Sequence, residues 1–508
     1  MNSEILNIIK EKGLLLEKEI FEEVKKCEDT LSAKLLLENL EKISGQKMIT
    51  RSSLTKNYEF VREVVDEASN DKKKFLEKVF VKLGVSLEVT KEKIKPSKKE
   101  MIDYTVHNAD TTNNKKIEVK DFVKYFRSRY QQAQKILMQR ANLENLTSIN
   151  KISNDRQALT VIGIVTEKRI TKNKNLMVQI EDLTGEIKFL VKPTSECFTN
   201  ANELQLDDVV AVRGSGNREI IFAYDVVYPD SMKIDKPKFE DDFCVAFVSD
   251  VHAGSNKHLG KEFEKFIYWL NSDNELAKKI KYLFFVGDNV DGVGVFPGQE
   301  KLLKLKTLGE QYDLLSSYLK KVPKRITMFM CPGQHDSVRV AEPQPTIDKH
   351  YGKSLHEIPN LVLTTNPSIV KILEKDKEFK ILMYHGASIH SFINSIEELR
   401  LMKAHSCPAK AVKHMLKRRH LAPTHSSVVY VPNAKKDYLA INEVPDILCT
   451  GEVHRLDIER HNGTLIITGS CWQSQTDFEE KVGNIPDPCK VPILNLKTNE
   501  LKILDFSK

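Results

Sequence analysis

FCVAFVSDVHAG (residues 243–254) is an apolar run of strand length that breaks at Ser249 and delivers Asp250 and His252, two residues apart. Short apolar runs bounded by turn residues read as buried strands. Four further stretches repeat this arrangement. YLFFVGDNVDGVG (282–294) places Asp288 after Gly287. ITMFMCPGQHD (326–336) ends on Gln334, His335 and Asp336. FKILMYHG (379–386) ends on His385, and DILCTGEVHRLD (446–457) carries Glu452 and His454. From Phe243 onward, apolar strands alternate with helical segments, as in an α/β layered domain. Strand ends followed by glycine-containing turns are where such sheets carry binding groups. One Asp-x-His occurs by chance; five strand-end clusters in one domain are hard to reconcile with solvated loops. Their side chains are hard oxygens and imidazoles, suited to Mn, Mg, Fe or Zn pairs. No thiolate accompanies them, which disfavours a structural zinc site.

Upstream of this domain the periodicity changes twice. Between Leu159 and Tyr228, TVIGIVTEKRIT, LMVQIEDLTGEIKFLV, VVAVRGSG and EIIFAYDVVYP alternate with period two, and Asp182–Gly185 marks a hairpin. About five strands in about 75 residues suggest a small barrel of the OB type. It could bind single-stranded nucleic acid or a protein. Of its aromatics, Phe189, Phe198, Phe222, Tyr224 and Tyr228, most are expected to face the core. Val119–Arg140 reads as a strong amphipathic helix, and so do the first 45 residues and a stretch near 57–84. The segment 88–116 is rich in Lys, Asn and Thr, contains Pro96 and reads as a linker. Its basic run Lys91–Lys99 could meet DNA or be solvated. The expected layout is multidomain α+β: a helical N-terminal region (1–87), a flexible basic linker (88–116), a connecting helix (117–150), an OB-fold (151–232) and an α/β domain (240–508).

The chain has 508 residues, 78 Lys+Arg against 71 Asp+Glu, and a formal net charge of +7, with 41% hydrophobic residues. This composition excludes wholesale disorder, collagen and a disulfide miniprotein. The charge permits a nucleic-acid partner without arguing for one, because groove binding needs clustered charge. The eight cysteines form no C-x-x-C pair, which fits reduced thiols in a cytoplasmic protein. The N-terminus lacks the pattern of an export signal, and no run of about 18 apolar residues suggests membrane insertion.

The strand-end segments are similar to the calcineurin-like metallophosphoesterases, whose pattern is D-x-H, G-D, G-N-H-[DE], H and G-H-x-H. More closely, the chain resembles the small subunits of archaeal D-family DNA polymerases, whose phosphoesterase domain is similar to Mre-type nucleases. GDNVDGVGVFPGQE (287–300), CPGQHDSVRVAEPQP (331–345), LKRRHLAPTHSS (416–427) and SCWQSQTDFEEKVGNIPDPCKVPILNL (470–496) carry that likeness. KDFVKYFRSRYQQAQKIL (120–137) extends it, so it spans roughly Val119 to the C-terminus.

The resemblance implies a C-terminal metallophosphoesterase built as a layered β-sandwich flanked by helices. It implies Asp250, His252 and His454 on a first metal, Asp288 bridging, and His385 on a second, with Mn2+ or Mg2+ as the expected ions. Gln334 and Glu452 stand where the family usually has Asn and His on the second metal. His335 would be the general acid. Asp291, Asp336 and Asp457 are candidates to orient ligand imidazoles. The implied activity is two-metal 3′→5′ hydrolysis of single-stranded DNA ends, or of primer-template, beside a large polymerase subunit. The alternative is a weakened phosphoesterase acting as a scaffold in the same complex. The insert histidines His390, His405, His414, His420 and His425 read as structural. The run Lys410, Lys413, Lys417, Arg418, Arg419 reads as solvated, partner-facing or phosphate-binding.

Overall fold

The computed structural model describes residues 2–25, 33–34, 36–38, 40–41, 47–50, 104–112, 116–140, 143–233 and 235–508. The expected helical stretch near 57–84, the run Lys91–Lys99 and part of the first 45 residues lie outside the described residues. The chain divides into two compact units, Met1–Met101 and Ile102–Lys508. In the first, the helices Asn2–Lys12 and Lys18–Lys25 accompany a two-stranded parallel pair, β1 (Leu15–Leu16) and β2 (Met48–Ile49). Ile20 and Val24, four apart on one helical face, are fully buried.

The second unit contains a closed five-stranded barrel and two six-stranded sheets. The barrel runs β4 (Gln157–Ile170), β5 (Leu176–Glu181), β6 (Glu186–Val191), β7 (Val209–Gly216) and β8 (Ile221–Val227), closing in the order β4-β5-β6-β8-β7. Asp182 makes the β5–β6 turn: its Oδ1 accepts from the backbone N–H of Thr184 and Gly185. Val161, Val178, Ile180, Phe189, Val212 and Ile221 fill the interior. Phe189 and Tyr228 are buried and Phe198 packs on them, but Phe222 and Tyr224 stand on the outer surface.

The first sheet runs β12 (Leu361–Leu363), β11 (Thr327–Cys331), β10 (Ile280–Val286), β9 (Cys244–Val248), β18 (Lys490–Asn495) and β19 (Leu501–Asp505). The second runs β16 (Asp457–His461), β17 (Thr464–Thr468), β15 (Ile447–Thr450), β14 (Lys377–Met383), β13 (Ser368–Glu374) and β3 (Tyr104–Asn108). The sheets pack face to face. Val245, Phe247, Tyr282, Phe284 and Phe329 from one meet Val370, Phe379, Ile381, Ile447 and Ile467 from the other. The alternate residues Cys244, Ala246, Leu283, Phe285, Met328 and Met330 pack outward under the helices Gly260–Leu270 and Leu308–Leu319. Leu382, Leu448 and Ile466 do the same under Ile389–Ser395 and Ala409–Arg418. Both faces of every central strand are therefore buried, which explains apolar runs without alternation.

β3 corrects the expectation for 88–116, since it lies inside the segment read as a linker. It pairs antiparallel with β13, and the Tyr104 ring sits 4.9 Å from Phe329, edge-on. Only Tyr104 and Val106 face the core, and two apolar positions among polar neighbours give too short a period to read. Among the described residues, no helix is long and apolar enough to cross a membrane.

The helix Val119–Met138 follows, close to the expected Val119–Arg140. A buried ionic cluster ties it to the insert after β14. Arg129 Nε donates to Asp437 Oδ2 at 2.8 Å, Tyr125 Oη to Oδ1 at 2.8 Å, and His420 Nε2 lies 2.8 Å from Oδ2. Burial works against the Asp437 charge, but His420 and Arg129 outweigh it and hold its pKa well below the carboxylate range. The C-terminal half of the basic run is taken up by internal contacts, which corrects its solvated and phosphate-binding readings there, while Lys410 and Lys413 pair with Glu459 and keep 44% and 42% of their side chains exposed. Lys417 contacts Glu203, Arg418 pairs with buried Asp208 of the barrel, and Arg419 donates to the Ile441 carbonyl.

Asp437→Ala leaves Arg129 and His420 buried without their anion and is expected to destabilise the protein by about 3–5 kcal/mol in denaturant titrations. Because the folded-state pKa is depressed, this stability is complete above about pH 4. The gap between wild type and Asp437→Ala is therefore expected to persist at pH 5 and to close only as pH falls well below 4.

Candidate metal centre

β9, β10 and β11 are mutually parallel, and so are β14 and β15. Each delivers its C-terminal end to one pocket. Ser249–His252 follows β9, Gly287–Asp288 follows β10, Gly333–Asp336 follows β11, His385 follows β14 and Gly451–His454 follows β15. Backbone bonds stitch these ends together: Asp250 N donates to Gly287 O at 3.1 Å, His252 N to Asp288 O at 3.0 Å, and Gly451 N to His385 O at 2.7 Å. Bonds also cross between the sheets, among them Glu452 N to Asp250 Oδ1 at 3.1 Å.

Among the described residues, three groups of side chains could each hold an ion: Asp250 with His252 and His454; Asp250 with Asp288 and His385; and His252 with Asp288 and His335. His454 Nε2 lies 3.5 Å from Asp250 Oδ1, and His385 Nε2 lies 3.2 Å from both Asp288 Oδ2 and Glu452 Oε2. His335 Nε2 is 3.9 Å from Asp288 Oδ2. The amide oxygen of Gln334, on the same turn as His335, is buried and accepts no hydrogen bond.

The hydrogen bonds on the far side of each ring decide what the near side can do. His385 Nδ1 sits 2.9 Å from Val286 O and His335 Nδ1 sits 2.7 Å from Asp291 O. A carbonyl only accepts, so both Nδ1 atoms carry the proton. His252 Nδ1 faces Asp291 Oδ1 at 3.2 Å and His454 Nδ1 faces Glu479 Oε1 at 2.9 Å. These too are donors to acceptors. In the neutral rings every Nε2 lone pair is therefore turned into the pocket, and His252 Nε2 meets His454 Nε2 at 3.1 Å. The pocket's other occupants are acceptors as well, and Asp250 Oδ2 is buried without any donor. Acceptors facing acceptors require protons or cations between them. Burial opposes charge on His385, yet Asp288, Glu452 and Asp250 hold its pKa well above the usual histidine value. Burial also opposes charge on Asp288, yet His385 and His335 hold its pKa well below the usual carboxylate value. The donor set of imidazoles and carboxylates fits hard or borderline divalent cations.

Glycines make the convergence possible. A Cβ on Gly451 would stand 2.4 Å from Asp250 Oδ2, and one on Gly333 would stand 2.1 Å from Asp288 Oδ1. Asp250, His252, Asp288, Glu452 and His454 all adopt positive φ, between 46° and 73°. Such conformations cost roughly 1–3 kcal/mol each and cluster at functional sites.

The structure sorts the candidate orienting residues. Asp291 supports two rings, through its carboxylate to His252 and its carbonyl to His335. Asp336 contacts no ligand imidazole. It accepts from Asn289 N, Gly333 N and Tyr312 Oη, and so braces the turns that carry Asp288 and His335. Asp457 is also corrected: it accepts from Ala409 N and Ile458 N at the start of the helix Ala409–Arg418. Both carboxylates follow a ligand-bearing turn in sequence, and adjacency does not reveal direction. Glu479 escaped the sequence reading. Its Oε2 completes a capping box with Thr476 at 2.8 Å while its Oε1 takes His454. The Thr-x-x-Glu pattern at 476–479 signals a helix start, and nothing in it reveals the second bond.

Known proteins resemble this chain in sequence. The family profile of the DNA polymerase alpha/epsilon B-subunit matches residues 245–456. The DNA polymerase II small subunit of Methanothermobacter thermautotrophicus is 35% identical over 408 residues, 78% of this chain and 82% of that relative. The one from Archaeoglobus fulgidus is 35% identical over 74% of this chain and 75% of its own length. The one from Pyrococcus furiosus is 36% identical over 77% of this chain, and the match spans 64% of that longer relative. Among solved structures, an archaeal phosphodiesterase covers 52% of this chain at 14% identity with a TM-score of 0.25, too distant to carry weight. At this identity and coverage the sequence relatives decide the matter: the chain belongs to the family of archaeal DNA polymerase II small subunits.

Proposed function

We propose that this chain is the small subunit of a heterodimeric replicative DNA polymerase and carries a metal-dependent 3′→5′ exonuclease for single-stranded DNA ends. DNA synthesis would reside in a separate large subunit, the partner that the relatives' name implies. The observation that carries the nuclease reading is the pair of Nε2 atoms of His252 and His454, 3.1 Å apart, with Asp250 Oδ1 3.5 Å from His454 Nε2. With both Nδ1 protons held by carboxylates, neither Nε2 of a neutral ring can donate to the other, and a cation between them would satisfy both.

Asp250, His252 and His454 would hold one ion, Asp288 would be shared, and His385 with Glu452 and Gln334 would hold the second. When bound, two divalent cations, Mn2+ or Mg2+ by donor type, supply an activated water and neutralise charge on the phosphate. The protein's own groups do the rest. His335 keeps Nδ1–H on the Asp291 carbonyl, which leaves Nε2 to present a proton to the departing 3′ oxygen. Burial opposes a charged His335 ring, and the neighbouring Asp288 carboxylate raises its pKa above the usual value. Glu479 fixes the His454 ring by holding its Nδ1 proton.

Gln334 and Glu452 favour a second reading, a weakened phosphoesterase retained as a scaffold. Gln334 keeps an amide oxygen on a longer arm, and Glu452 replaces a neutral donor with an anion that already contacts His385 at 3.2 Å. Mn2+-dependent release of nucleotides from a single-stranded oligonucleotide separates the two. The wild type is expected to degrade the strand, and His335→Ala to slow it by roughly 100- to 10,000-fold. A folded wild type with no metal-dependent degradation selects the scaffold. Gln334→Asn and Glu452→His that outpace the wild type would show a weakened native second site.

Glu479→Gln is expected to lower divalent-metal affinity by about 10- to 100-fold in calorimetric titration, with the helix Asp477–Val482 still capped through Thr476. Unchanged affinity would remove Glu479 from the site.

A further inference from the structure

The loop after Asp288 carries apolar groups that the phosphoester chemistry does not use. Val293, Val295 and Phe296 are 45%, 39% and 41% exposed, so none serves the core. The loop's base, in contrast, is bolted down. Gln311, fully buried, bonds both the N–H and the carbonyl of Gly292, and fully buried Gln299 bonds Asp291 O and Val295 N. A Cβ on Gly292 would stand 2.3 Å from His335 O, so the loop lies directly against the His335 turn. The Phe296 ring centroid is 6.4 Å from that of His335, at 63°. A rigid loop thus holds an exposed aromatic ring beside the imidazole whose Nε2 faces the pocket.

We infer that Phe296 is a positioning residue that stacks on the base of the 3′-terminal nucleotide while its phosphodiester lies against His335. The inference rests on the nuclease reading and names how that site would hold its substrate. A nucleotide whose phosphate sits at an imidazole brings its base within about one nucleotide's reach, and an exposed ring at that distance can serve as a stacking partner. Stacking accepts every base because every base has a π-face. Val293 and Val295, on the same tip, would line the sugar. The arrangement selects a splayed single-stranded end, because a base stacked on Phe296 has left its duplex neighbour.

The experiment uses the full chain and a single-stranded oligonucleotide ending in 2-aminopurine. Without divalent metal, stacking on Phe296 is expected to quench the terminal fluorophore. Phe296→Ala is expected to lose the quench and Phe296→Tyr to keep it. With Mn2+, Phe296→Ala is expected to raise KM about tenfold with kcat little changed. The penalty should vanish on a strand ending in an abasic residue, and Phe296→Tyr should restore the wild-type KM. A wild type that degrades the strand, with Phe296→Ala equal to it in quench and KM, overturns the stacking role and leaves the nuclease reading standing. A wild type that leaves the strand intact overturns both.

Discussion

Two sheets packed face to face must bring their strand ends to a common edge, and everything at the candidate centre follows from how closely those ends approach. The rings of Phe247 and Phe284 stack at 5.3 Å and those of Phe284 and Phe329 at 5.1 Å, filling the interior between the sheets. That dry layer sets the separation of the sheets. At the edge the layer ends, and backbone takes over from side chain. Gly287, Gly333 and Gly451 stand where a Cβ would strike His385 Nδ1, Asp288 Oδ1 or Asp250 Oδ2 at 2.2, 2.1 and 2.4 Å. The carboxylates and imidazoles of two sheets therefore share one small volume, with their lone pairs pointed at one another. Close-packed cores deform little, so the conflict cannot relax by letting the sheets drift apart.

Much of this was legible in the sequence because the signals are local. A strand buried on both faces is an unbroken apolar run, and the ligands follow within a few residues of its end. Asp250, Asp288, His335, His385 and His454 could be placed at the ends of strands on that basis. The barrel strands β5, β6 and β8 were legible because they alternate, while β4 and β7 bury both faces, one of them against the helix Val119–Met138. What stayed hidden depends on contacts between distant segments. The strand Tyr104–Asn108 has a core only because β13 lies beside it, 260 residues along the chain by register partners such as Ser368 and Asn108. The Arg129–Asp437 pair joins residues 308 apart. Arg418 reads as a surface cation on its helix, and only the barrel's Asp208 turns it into a buried one.

Direction was the other hidden quantity. Asp291, Asp336 and Asp457 each sit a few residues from a ligand, yet only Asp291 turns toward the rings. The backbone conformation decides this. Asp288, at φ 46°, reverses the chain so that residue 291 comes back beneath His252. Asp457 has already entered the extended β16, and its side chain reaches the helix start at Ala409 instead. Glu479 lies 25 residues beyond His454, and its local role as a cap is complete without the imidazole.

The same strain bears on the choice between a working centre and a scaffold. Five non-glycine residues at positive φ, between 46° and 73°, and a buried carboxylate oxygen without a donor all destabilise the fold. Replacing Asp288 or Glu452 by glycine would relieve backbone strain where they sit. A centre that holds cations would use each of these features. Left-handed turns aim the side chains inward, absent donors leave the lone pairs free, and Asp291 with Glu479 keeps two rings in the tautomer a metal requires. Gln334 and Glu452 fit this logic: each changes the kind of ligand while keeping an oxygen at the pocket. The energy stored at the edge of the sandwich makes sense where a ligand binding to the folded state returns it, since such binding stabilises that state by mass action.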